Sequence, residues 1–284
     1  MIVDTHVHIY PPDVIKKRDE IAEREDYFRL LTASRVHKWA TAEDLLAAMD
    51  EDGVDESWVF GFAFNDLGLC RHCNDYVLEA SSRSRGRMKP MIVVPPRAKG
   101  MEEEIARGAS FGAIGVGELF PDGQGFDLCG GRETEALAGA CLENGLFLML
   151  HTAEPVGRKY AGKGETGPRE AFAFASGHRE LRVVFAHLGG GLFFYEQMPD
   201  VADVLRNVRY DTAAAPFLYR PSVIRSAVSS GMLHKLLYGS DYPLLRHQRY
   251  REMFSAHLSG HEMRAVLSGN AARFLNASNK QMKP

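Results

Sequence analysis

Eight times along this chain a short apolar run gives way to a Gly, Pro or polar turn and then to a segment of helical periodicity. The runs are MIVDTHVH, ESWVFGFAF, MKPMIVVPP, GAIGVGELF, GLFLMLHT, LRVVFAHL, VRYDTAA and LLYGSDYP. Runs apolar on both faces suit parallel strands covered by helices, because a sheet with one wet face alternates apolar with polar. Between them, TAEDLLAAMDEDG reads as a helix with Thr41 as N-cap, Asp44 three residues later and Gly53 past its end. NDYVLEASSRS, GMEEEIARGAS, RETEALAGACLENG (closed by Gly145) and PREAFAFASGH read the same way, and RHQRYREMFSAHL and EMRAVLSGNAARFLN follow the last run. Eight such alternations without an internal linker predict an α/β chain, a single-domain (β/α)8 barrel over residues 1–284.

Two connections are longer than a barrel requires: residues 10–40 after the first run and AEPVGRKYAGKGETGP after the fifth. A segment that follows a strand lies at the C-terminal mouth, so both are expected to wall or cover an active site, with 10–40 as an insertion there.

The polar residues fall where such a mouth would gather them. In DTHVH, Asp4, His6 and His8 alternate on an otherwise apolar strand and would share one face. Burying them unpaired costs free energy, so they need a metal ion or a closed polar network. Glu118 ends the fourth run, His151 the fifth, His187 the sixth and Asp241 the eighth. Two His on one strand have Cα atoms about 6.7 Å apart, close enough for both rings to meet one ion. Imidazole with carboxylate suits Zn²⁺, and Mn²⁺ or Fe²⁺ is compatible. His72, His178, His234, His257 and His261 read as surface residues, whereas the loops of His37 and His247 border the mouth. Cys70 and Cys73 form a lone CRHC with no second pair, so they read as two thiols on a helix face.

A net charge of -3 gives no electrostatic footprint for nucleic acid or an anionic membrane, which leaves a small-molecule partner. Four Cys in 284 residues make no disulfide framework, the N-terminus lacks a signal-peptide pattern, and no apolar run reaches membrane length. A cytoplasmic protein is expected. The aromatic stretch LFFYE fits a core or a homodimer interface equally well.

DTHVH, a His ending strand five, AHLGGG, YGSDYPL and a C-terminal GNAARFL helix together resemble the amidohydrolase superfamily. The nearest branch is the amidohydrolase-related group that includes the aminocarboxymuconate-semialdehyde and resorcylate decarboxylases. The resemblance spans the chain and implies a distorted TIM barrel with a metal at its mouth. It matches His6 and His8 to the first-strand ligand pair, His151 to the strand-five ligand, His187 to the strand-six His and Asp241 to the strand-eight Asp. Many two-metal members carry a carboxylated Lys on strand four. Glu118 in that place is more similar to the TatD-type hydrolases. The resemblance thus implies one ion on His6, His8, His151 and Asp241, with Asp4 behind them, or a second ion at Glu118 and His187.

Hydrolysis of a C–O or C–N bond in a lactone, ester or amide is the first expectation, with Asp241 moving the proton and His187 polarising the carbonyl. Non-oxidative decarboxylation of a small unsaturated or aromatic acid is the alternative, and would need a cation such as Arg158, Lys159, Lys163 or Arg246 to grip the carboxylate. A metal-binding scaffold without turnover and a TatD-like nuclease complete the set.

Overall fold

A computed structural model describes residues 1–281. Eight parallel strands, β1 (Val3–His8), β2 (Glu56–Phe60), β3 (Met88–Ile92), β4 (Gly115–Leu119), β5 (Phe147–Leu150), β6 (Val183–Phe185), β7 (Val208–Asp211) and β8 (Leu236–Leu237), pair in sequence order. The sheet closes on itself through three backbone bonds between its edges. Thr5 N–H donates to Tyr238 O at 2.8 Å, His8 N–H to Tyr242 O at 2.8 Å, and Asp241 N–H to His6 O at 3.0 Å. The fold is a (β/α)8 TIM barrel, in which residues at strand C-termini collect at one mouth.

The strands are shorter than the apolar runs that announce them. Each run leaves the ladder near the mouth to turn, most abruptly at β8, where only two residues of LLYGSDYP pair regularly. Pairing is irregular between Asp4 and Val7 on β1 and between Val116 and Leu119 on β4, both strands that carry polar mouth residues. Such irregularities re-aim side chains.

Helix ends follow the capping chemistry. Thr41 and Asp44 form a reciprocal capping box on Ala42–Asp52, and left-handed Gly53 closes it. Thr41→Ala is expected to lower stability by about 1 kcal/mol, read as a lower urea midpoint at unchanged slope. The helix read from NDYVLEASSRS in fact spans Leu67–Arg83, because the Asp66 side chain caps it seven residues earlier by accepting from Leu69 N–H at 2.8 Å. Cys70 and Cys73 are buried on that helix as free thiols. Among the described residues no helix is long and apolar enough to cross a membrane. LFFYE divides its roles: Leu192 and Phe193 are buried, while Phe194 and Tyr195 are exposed.

Residues 10–40 form three short helices, Pro12–Lys16, Arg18–Ala22 and Asp26–Thr32, over the mouth. Buried Glu25 ties them down by accepting from the backbone N–H groups of Asn65 (3.0 Å) and Asp66 (2.9 Å). The segment after β5 is tied similarly, with Asp122 accepting from Glu165 N–H and Thr166 N–H at 2.9 and 3.0 Å. Tyr27 then stacks on Phe120 with ring centroids 3.9 Å apart.

Candidate metal centre

The six sequence-derived residues meet at the mouth in two groups. His6, His8 and Asp241 form one, and Glu118, His151 and His187 the other, each offering ligand atoms within 4.8 Å of one another. Glu118 faces both. Its Oε2 stands 3.5 Å from His6 Nε2 and 3.8 Å from His8 Nε2, while its Oε1 stands 3.1 Å from His151 Nδ1 and 3.2 Å from His187 Nε2. Asp241 Oδ1 lies 3.8 and 3.7 Å from His6 Nε2 and His8 Nε2. These distances divide the six differently from the one-ion set implied by the resemblance: His151 sits with Glu118 and His187.

Local backbone geometry aims these groups. Of five non-glycine residues with positive φ among the described residues, His187 (57°), Leu188 (58°), Ala214 (53°) and Asp241 (63°) are at the mouth. Each costs about 1–2 kcal/mol, and such strain clusters at functional sites. Gly117, at φ 126°, precedes Glu118 where any Cβ would overlap the Met149 carbonyl, so this turn of β4 requires glycine.

A fixed layer of partners orients the rings. His8 Nδ1 bonds Gly61 O at 3.0 Å and His187 Nδ1 bonds Ala213 O at 3.0 Å, turning each Nε2 inward. Asp211, at the end of β7 and fully buried, bonds His6 Nδ1 at 2.9 Å and accepts from the N–H groups of His187 and Ala213, both at 3.0 Å. Asp211 is absent from the sequence-derived set although VRYDTAA ends in the same manner as the other runs. Asp4, on the same strand as His6, accepts from Ser240 N–H at 2.8 Å. Burial raises its carboxyl to about 7, and the Ser240 and His6 hydrogen bonds only partly oppose this.

Electrostatics shows what the cluster demands. Burial opposes charge on His6, yet Asp211 and Glu118 raise its pKa well above the ordinary imidazole value. Burial likewise opposes charge on His187, and its bond to Glu118 overcomes this to raise it to about 9. Glu118 is held well below the carboxylate range by His6 and His151 despite burial. Protons on the rings balance the carboxylates in this arrangement. A divalent ion fits that demand. His6 Nε2 is buried without a hydrogen-bond partner, and the separations of 3.8 Å from His6 and 3.7 Å from His8 to Asp241, with 3.5 Å from His6 to Glu118, compare with the roughly 3.4 Å between tetrahedral ligands on bonds of about 2.1 Å.

Metal uptake must therefore expel protons. Because His187 titrates at about 9, metal affinity is expected to rise with pH from 6 to 9, by about tenfold per pH unit for each proton released. Calorimetric titration in two buffers of different ionisation enthalpy counts those protons, and a count of zero refutes this electrostatic account.

Above the centre lies a cavity of about 360 Å³ with mainly apolar and aromatic walls, among them Tyr10, Tyr27, Phe62, Phe120, Phe217 and Leu244. Arg158 is the Lys or Arg side chain on its wall. The other proposed grips are elsewhere. Arg246 pairs with Asp52 (2.7 Å) and Glu51 (2.9 Å) on the helix Ala42–Asp52, and Lys163 is held by Val156 O at 2.9 Å and Glu154 at 3.6 Å. His37 does line the cavity, its Nε2 unpartnered and its pKa lowered by burial to about 4, so the ring is neutral at pH 7. His247 does not reach the cavity; it is buried edge-on against Tyr238, with ring centroids 5.0 Å apart.

A TIM barrel whose mouth gathers four His and two carboxylates presents two groups of side chains that could hold a divalent metal. Residues 3–277 match the Amidohydrolase family model, and the chain belongs to that family. No curated protein matches it. Among solved structures, a 5-carboxyvanillate decarboxylase from Novosphingobium aromaticivorans with bound manganese superposes with a TM-score of 0.77 at 16% identity, covering 97% of each chain. A 2,6-dihydroxybenzoate decarboxylase from Rhizobium gives 0.73 at 17% identity over 97% of this chain and 98% of the other. A probable 2-pyrone-4,6-dicarboxylic acid hydrolase from Acinetobacter baumannii gives 0.64 at 17% identity over 97% and 99%. At these identities the likeness establishes the fold.

Proposed function

We propose that this chain is a metal-dependent hydrolase of a C–O or C–N bond in a small ring-bearing molecule, a lactone, ester or amide. The observation that carries this reading is Glu118, whose two oxygens face two separate donor groups. A carboxylate so placed suits a pair of ions, an arrangement used to activate water for displacement at an acyl centre. His6, His8 and Asp241 would hold one ion and His151 and His187 the other, with Glu118 shared. Imidazole and carboxylate ligands favour Zn²⁺, and Mn²⁺ is the competitor that the Novosphingobium relative contains.

When bound, such ions supply Lewis acidity, polarising a carbonyl and lowering the pKa of water. The chain supplies the rest. Asp241 takes the proton from the attacking water and returns it to the leaving oxygen or nitrogen. Aromatic walls exclude bulk water and hold a flat ring. Neutral His37 offers a hydrogen bond, and Arg158 meets an anionic substituent.

The aromatic walls with Arg158 also favour decarboxylation of a small aromatic acid, the activity in the names of two of the relatives above. Turnover of paired lactones and aromatic acids in ¹⁸O-labelled water separates the two. Product carrying one ¹⁸O without CO₂ is expected, whereas CO₂ release with an unlabelled product replaces the hydrolase by the decarboxylase.

A further inference from the structure

We infer that the chain carries a second ligand site, for the phosphate group of a small molecule, at the end of the barrel opposite the metal centre. The site is an open cavity of about 490 Å³ lined by His234, His261, Arg264 and Arg273, together with Gly269 and Asn270. It lies beside Met232–Lys235, the segment that enters β8, whereas the metal centre lies where β8 ends.

Four cationic or protonatable side chains line this cavity and no acid does. Nearby carboxylates are already committed. Glu262 pairs with Arg225 at 2.8 Å and Glu196 with buried Lys235 at 2.5 Å. Arg264 has no side-chain partner among the described residues, and the only one of Arg273 is neutral, the Asn270 amide oxygen at 2.5 Å. Asn270 is itself buried and anchored, donating to Leu233 O and Leu236 O at 2.7 and 2.6 Å, so it fixes the Arg273 guanidinium beside the cavity. Gly269 lies beside that guanidinium, a Cβ there standing 3.5 Å from Arg273 Nη1. His234 donates from Nδ1 to Gly231 O at 3.2 Å, so its Nε2 becomes a donor to an anion when the ring is protonated.

The wall interrupts a helix. Ala265–Gly269 is a π-helical turn between Gly260–Arg264 and Asn270–Gln281, a feature that recurs at functional sites. Positive charge is concentrated here: burial lowers the pKa of Arg209, with Glu196 opposing and Arg273 adding to the shift, and burial, Lys235 and Arg209 lower that of His234 against the Gly231 bond and Glu196. An anion relieves this repulsion. Two guanidinium forks with adjacent imidazoles suit the several oxygens of a phosphate, and the volume exceeds a phosphate enough to admit the molecule that bears it.

Calorimetric titration with inorganic phosphate and with AMP, at constant ionic strength in chloride buffer, tests the site. One saturable site per chain is expected, weakened at least tenfold by combined Arg264→Ala and Arg273→Ala and unchanged in Glu118→Gln. Tighter binding of AMP would identify a phosphate ester as the ligand, and equal affinity a free phosphate. Should the double variant fold poorly, Arg264→Gln alone must still weaken binding, since that side chain holds no structural bond. Absence of saturation, full affinity in the arginine variants, or loss in Glu118→Gln overturns the assignment, the last by moving phosphate to the metal centre.

Discussion

Replacing Glu118 by Gln is expected to lower turnover by about 10³-fold and to remove at least one metal ion from the chain. The substitution keeps shape and removes charge. Glu118 is the side chain with one oxygen toward His6 and His8 and the other toward His151 and His187, so its loss weakens both groups together. Metal supplies several kcal/mol of charge stabilisation to an acyl transition state. A loss of about 4 kcal/mol is the stated factor in rate. Elemental analysis of protein purified without chelator should find about two ions per wild-type chain and one or none in the variant. Glu118→Asp sharpens the test, because a shorter carboxylate cannot span both groups and should retain the ion of only one. Full metal content with turnover within tenfold of wild type would falsify the shared role of Glu118 and return the site to a single ion.

Which parts of this arrangement the sequence discloses follows from the range of the forces involved. Barrel topology is local and repeated: each apolar run, turn and helix carries its own signal, and the Thr41 capping box lies within four residues of chain. Convergence of His6, His8, Glu118, His151, His187 and Asp241 follows from topology, since all end strands at one mouth. Their division into two groups does not, because it depends on the irregular pairing at Gly117 and on left-handed backbone at His187 and Asp241. Long side chains are equally hard to place. Arg246 begins next to the mouth but turns away to Asp52 and Glu51, while Arg158 reaches the cavity wall from an exposed loop. Loop position fixes where such a side chain starts, and the nearest carboxylate decides where it ends. Asp211 escapes for another reason: a single Asp before Thr-Ala-Ala looks like an ordinary strand end until His6 is found against it.

Asp211→Asn is expected to weaken metal binding by at least about 10–100-fold while leaving the fold intact. The reason is a proton. Asp211 Oδ2 accepts from the His6 Nδ1 that touches it at 2.9 Å, which leaves Nε2, facing Glu118 and Asp241, as the nitrogen that gives up its proton to the ion. In the variant, the N–H groups of His187 and Ala213 still require an acceptor, as Asp211 Oδ1 provides at 3.0 Å to each. The Asn carbonyl oxygen satisfies them, and its NH₂ is then turned toward His6. Nδ1 must become the acceptor, the ring hydrogen moves to Nε2, and the atom meant for the ion becomes a donor. Competition against a chelator measures the affinity, and ¹⁵N spectra of the imidazole report which nitrogen holds the proton. A variant with the tautomer reversed and affinity reduced fits this mechanism. One that binds metal within twofold of wild type shows that His6 does not need Asp211 to face the ion. Neutral Asn also removes one of the charges that raise His6, so fewer protons should be expelled on metal uptake. That separate calorimetric readout would not change if Asp211 served packing alone.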